Sequence, residues 1–60
     1  MPFIAVHLYE GRTVDQKREI AAAITDAVVR TAKTSPEATE IVFHDVPRHN
    51  WAKAGKLASD

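Results

Sequence analysis

The sequence predicts an α/β fold built on a single β-α-β unit with a short C-terminal hairpin or turn, and three observations carry that prediction. Residues 2–9 form an apolar run of strand-forming residues, residues 13–33 repeat apolar positions at helical period, and residues 40–46 form a second strand-like run. A helix between two strands of one sheet is a crossover, which sets the strands parallel and is right-handed in nearly all proteins.

The first strand reads Pro2-Phe3-Ile4-Ala5-Val6-His7-Leu8-Tyr9. Ile4, Val6 and Leu8 fall on one face, and Phe3, Ala5, His7 and Tyr9 on the other. A half-exposed strand alternates apolar with polar, so a strand with two apolar faces needs cover on both. Glu10-Gly11-Arg12 breaks the pattern as a turn.

Thr13-Val14-Asp15-Gln16 has the form of a capping box, with the Thr13 hydroxyl set to accept from the Gln16 amide while the Gln16 side chain reaches back. Ile20, Ile24, Ala27, Val28 and Thr31 then recur at three- and four-residue spacing, giving an amphipathic helix to about Lys33. Lys17, Arg18 and Glu19 read as its solvated surface. In Ser35-Pro36-Glu37-Ala38 a capping serine precedes a proline suited to the first helical position, which predicts one helical turn. Glu40 to Val46 is the second strand. Beyond Pro47 the chain is rich in turn residues, and Lys56 to Asp60 reads as a polar end.

The 60 residues make one small domain, residues 1–60. A chain of that size buries only about 60% of its unfolded surface. Such domains are held by disulfides, a structural metal or oligomerisation, and the absence of cysteine removes the first and the commonest zinc ligands. Oligomerisation remains. Two strands and one helix cannot cover both strand faces, so the β-α-β units are expected to pair into a four-stranded sheet in a dimer.

Lysine plus arginine number 8 and aspartate plus glutamate 8, so no global basic field favours nucleic acid. A small-molecule ligand fits better. No apolar run is long enough for a membrane span and no charged, apolar leader opens the chain, so a cytoplasmic protein is expected. His7, His44 and His49 lack a recognised metal spacing and read as packing or surface residues; neither metal nor cofactor is expected. No Ser-His-Asp arrangement or glycine-rich phosphate loop is present.

The chemistry begins at Pro2. A small residue after Met1 permits removal of the methionine, and a mature chain beginning with Pro2 carries a secondary amine that takes a proton without help from a side chain. Burial in an apolar site disfavours the charged form of such an amine and makes it a candidate general base at neutral pH.

Pro2 opens an apolar strand that leads into Glu10-Gly11-Arg12, and Asp15-Gln16-Lys17 opens the helix. Val46-Pro47-Arg48-His49-Asn50-Trp51-Ala52-Lys53-Ala54-Gly55 closes the chain with an aromatic residue followed by small residues and glycine. In these features, over nearly its whole length, the chain resembles the 4-oxalocrotonate tautomerase family. The resemblance implies a keto–enol tautomerase acting on a 2-hydroxy-dienoate or an enolpyruvate-type acid, with the Pro2 amine moving a proton between the 2-hydroxyl and a carbon. It implies that Arg12 holds a substrate carboxylate, a task suited to its planar paired donors. It also implies that Trp51 is an aromatic wall that keeps water out, and that three dimers assemble into a hexamer, here read as a homo-oligomer. Arg48 and Tyr9 are further candidates for substrate contact.

At the start of the second strand this chain has Glu40 where well-known family members carry a second, carbonyl-polarising arginine. Arg48, Lys53 or a backbone amide supplies that electrophile, or the substrate lacks a second anionic group. The alternative is a non-catalytic oligomeric ligand-binding or assembly module on the same scaffold.

Overall fold

A computed structural model describes residues 2–60. Met1, on whose removal the Pro2 amine depends, lies outside the described residues. Strand β1 (Phe3–Tyr9) runs parallel to β2 (Glu40–Val46), and the helix α1 (Val14–Ala32) connects them. Their register pairs Phe3 with Glu40, His7 with His44 and Tyr9 with Val46. A short antiparallel hairpin follows, β3 (Ala52–Lys53) with β4 (Lys56–Leu57), so the expected polar end at Lys56 instead begins with a strand. Its two turn residues, Ala54 (φ 54°) and Gly55 (φ 78°), both take positive φ, as a type I′ turn requires.

Local chemistry accounts for the helix bounds. The Thr13 hydroxyl accepts from the Gln16 amide at 3.1 Å while the Gln16 side chain accepts from the Thr13 amide at 2.9 Å, which completes the capping box. At the other end Lys33 turns into the left-handed region (φ 57°) and stops the helix. Ser35 then caps the short turn Pro36–Ala38, accepting from the Ala38 amide at 3.2 Å.

Helix α1 lies over one face of the two-stranded sheet. Ile4, Val6, Leu8, Ile41 and Phe43 on that face are half-buried, as are Ile20, Ile24, Ala27 and Val28 of the helix. Lys17 of the first helical turns donates from Nζ to Asp45 Oδ2 at 2.5 Å. Lys17 is therefore a strut between α1 and β2 and not the free surface charge its position in the sequence suggests.

The opposite face carries Phe3, Ala5, His7, Val42 and His44 and is uncovered, with Phe3 61% and Val42 40% exposed. None of the described residues is fully buried. The radius of gyration is 14.2 Å, against about 10 Å for a compact chain of this length. The chain is a slab 42 × 24 × 13 Å whose apolar sheet face has no cover of its own. Among the described residues no helix is long and apolar enough to cross a membrane.

Candidate active site

The residues that carry chemistry fall at the two ends of β1. At its beginning the half-buried Pro2 accepts a hydrogen bond through its carbonyl from the Glu40 amide at 3.0 Å, which aligns the starts of β1 and β2. Proline fits here because it has no amide proton to contribute to a ladder. With Met1 attached its nitrogen is an amide; once freed, it is a secondary amine at the amino end of β1. Glu40 is exposed and has no ion-pair partner among the described residues.

At the far end, the loops after β1 and β2 both leave the carboxyl edge of the sheet. After Tyr9 the chain turns through Gly11, at φ 118°, and reaches the exposed Arg12 one residue before the helix cap. Only glycine adopts such a φ at low cost. After Val46, Pro47 leads into the tight turn Arg48–Asn50, closed by the Asn50 amide on the Pro47 carbonyl at 2.8 Å and the Trp51 amide on the Arg48 carbonyl at 3.2 Å.

This turn folds back over Tyr9. The Arg48 guanidinium carbon lies 4.3 Å from the centre of the Tyr9 ring, and the Trp51 ring lies 4.9 Å from it, tilted by 60°. A cation over an aromatic face at this separation is attracted by the ring quadrupole, worth about 0.5–1 kcal/mol at an exposed site. Among the described residues the ion pairs are Lys17–Asp45 and Arg18–Asp15, so neither Arg12 nor Arg48 has a carboxylate partner.

Pro2 and this cluster are separated by the whole strand. Seven strand residues at about 3.3 Å each put Tyr9 roughly 23 Å from Pro2. A single chain thus brings Tyr9, Arg48 and Trp51 together, holds Arg12 at the same sheet edge, and leaves Pro2 at the other.

The histidines take no part in either cluster. His7 and His44 stack across the strands on the uncovered face, with ring centroids 4.5 Å apart and planes 12° from parallel, and His49 is exposed in the turn. Among the described residues no three side chains form a metal-binding group. A shallow groove of about 370 Å³ lies along α1, lined by Ala21, Ala22, Thr25, Asp26, Val29 and Pro36, and shares no residue with the strand ends. The sequence named Tyr9, Arg48 and Trp51 singly. Their contact joins positions far apart in the chain, and the signal for it is that Tyr9 ends β1 in register with Val46, next to the turn bearing the other two.

The chain matches the family model for tautomerase enzymes over residues 2–60. It is 39% identical over 57 residues to a probable tautomerase of Ralstonia nicotianae, covering 95% of this chain and 88% of that protein. A probable tautomerase of Streptococcus pneumoniae is 35% identical over 57 residues, 95% of each chain. Among solved structures, a 4-oxalocrotonate tautomerase isozyme of Methylibium petroleiphilum aligns with a TM-score of 0.94 at 43% identity, covering 97% of this chain and 91% of that one. A heterohexameric 4-oxalocrotonate tautomerase of Chloroflexus aurantiacus shares the fold, with a TM-score of 0.93 at 23% identity over 100% of this chain and 97% of that one.

Proposed function

The chain belongs to the tautomerase family, and we propose that it is a keto–enol tautomerase of 2-hydroxy-dienoate or enolpyruvate-type acids whose general base is the Pro2 amine. The neutral amine takes the proton of the 2-hydroxyl. As the O–H bond breaks, the C=O bond forms, the carbon–carbon double bond shifts, and the ammonium returns the proton to carbon. Arg12 holds a carboxylate of the substrate, Tyr9 and Arg48 contact it, and Trp51 walls the site from water, which favours the neutral amine.

One observation carries this reading: Pro2 lies at one end of an uncovered apolar sheet face, roughly 23 Å from the arginine and aromatic cluster at the other. The two halves of a site meet only when a second chain covers that face. Oligomerisation, which the lack of a core within one chain already demands, therefore also completes the site. We take the assembly to be a hexamer of three dimers, each dimer sharing a four-stranded sheet.

The test begins with mass spectrometry to establish that Met1 is absent. Ketonisation of 2-hydroxymuconate and of phenylenolpyruvate is then followed for the wild type and Pro2→Ala. The reading holds if the wild type accelerates either reaction and Pro2→Ala loses a factor of about 100 to 10,000. It fails if neither enol reacts faster than in buffer, or if Pro2→Ala matches the wild type. Such a failure would favour a non-catalytic oligomeric ligand-binding or assembly module, for which the unpaired Glu40 beside Pro2 is the supporting observation.

A further inference from the structure

The position beside Pro2 that would be suited to a second substrate-binding cation holds Glu40, and the described residues offer Arg48 in its place. Arg48 has three properties that fit the task. Its guanidinium lies over the Tyr9 ring at 4.3 Å, a contact that favours this placement before any ligand arrives. It makes no hydrogen bond or ion pair among the described residues, so its donor edge is unspent. It also stands at the same carboxyl edge of the sheet as Arg12, because the loops after β1 and β2 leave parallel strands on the same side.

Lys53 is equally without an ion pair among the described residues, but no aromatic ring among them holds it in place. It lies exposed in the hairpin, paired in register with Lys56, and its ammonium lacks the planar fork that grips a carboxylate by two bonds.

We propose that Arg48 is a specificity-determining residue that binds a substrate oxyanion through its free donor edge, with Tyr9 as the positioning residue that holds it. Both anion-binding arginines of one site then come from one chain, and the base comes from another. The proposal rests on the tautomerase reading for its turnover arm alone. Its binding arm stands without it.

The binding arm uses the single tryptophan, Trp51, as a fluorescent reporter beside Tyr9, and cis,cis-muconate, a conjugated dicarboxylate with no enol, as the probe. Arg48→Ala is expected to weaken muconate binding about tenfold or more, Arg48→Lys to recover only part of it, Tyr9→Leu to weaken it, and Tyr9→Phe to keep it. Sedimentation confirms that each variant assembles like the wild type. In turnover of 2-hydroxymuconate the loss in Arg48→Ala should appear mainly in KM.

Mixing tests the division between chains. Pro2→Ala chains and Arg12→Ala/Arg48→Ala chains, each inactive alone, should regain turnover when refolded together, since one chain supplies the base and the other both arginines. The proposal is overturned if muconate fails to bind the wild type, if it binds Arg48→Ala as tightly, or if active wild-type enzyme gives no rescue on mixing. Loss of the tautomerase reading looks different: no turnover, or turnover indifferent to Pro2→Ala, while muconate binding still depends on Arg48.

Discussion

The Glu40 amide donates to the Pro2 carbonyl at 3.0 Å, so β2 begins with a carboxylate-bearing residue beside the residue proposed as the base. A negative charge next to an amine favours its ammonium form and raises the pH at which the free base appears. Glu40→Gln removes that charge, so the amine loses its proton at lower pH. The ascending limb of the kcat/KM profile is expected to move toward acid by up to about 0.7 pH unit, the shift that corresponds to the roughly 1 kcal/mol ceiling of an exposed pair. A limb that stays in place would show that the Glu40 charge does not reach the Pro2 nitrogen.

Lys17 and Asp45 link the first turns of α1 to β2 at 2.5 Å, with side chains 24% and 42% exposed. At that exposure the pair contributes about 0.5–1 kcal/mol after solvent screening. A double-mutant cycle with Lys17→Met and Asp45→Asn, read by urea unfolding, should return a coupling of that size that shrinks as salt is added.

The His7–His44 stack lies in the middle of the uncovered face, the surface assigned to contact with other chains. Placing an unpaired carboxylate there should cost assembly much more than exchanging one aromatic ring for another. His44→Asp is expected to sediment as a smaller species than the wild type at equal concentration, while His44→Phe keeps the wild-type size. Identical sedimentation of the two variants would remove this face from the interface.

Ala54 takes φ 54° in the hairpin turn, a conformation that costs an alanine energy and suits asparagine. Ala54→Asn gives the Asn-Gly pair favoured in type I′ turns and should raise stability by about 0.5–1 kcal/mol. Thermal unfolding of the assembled protein at fixed concentration measures it.

Much of the fold is legible in local chemistry. The capping box at Thr13, the capped turn at Ser35 and the two apolar runs stand where short-range rules put them, because each depends on neighbours within four residues. Lys17 did not, since a helix-surface lysine becomes half-buried only when a strand 28 residues away presents Asp45. The C-terminal hairpin was legible from its turn residues, but its second strand at Lys56 was not, because two-residue strands leave no periodicity to detect. Pro2, Arg12 and Trp51 were legible as types of chemistry. Pro2 and Arg12 were also legible as opposite ends of one strand, but the return of the Arg48–Trp51 turn onto Tyr9 was not, because strand length and parallel register decide it together.

A slab 13 Å thick, with no fully buried residue among those described, has an apolar sheet face that it cannot dry alone. In the assembly proposed above, stability and turnover per chain become functions of concentration, governed by mass action in the same way as ligand binding. Dilution should act on this protein as a denaturant and an inhibitor at once. A substitution on the uncovered face can leave a concentrated sample fully active and silence a dilute one, so specific activity has meaning only with the chain concentration stated beside it.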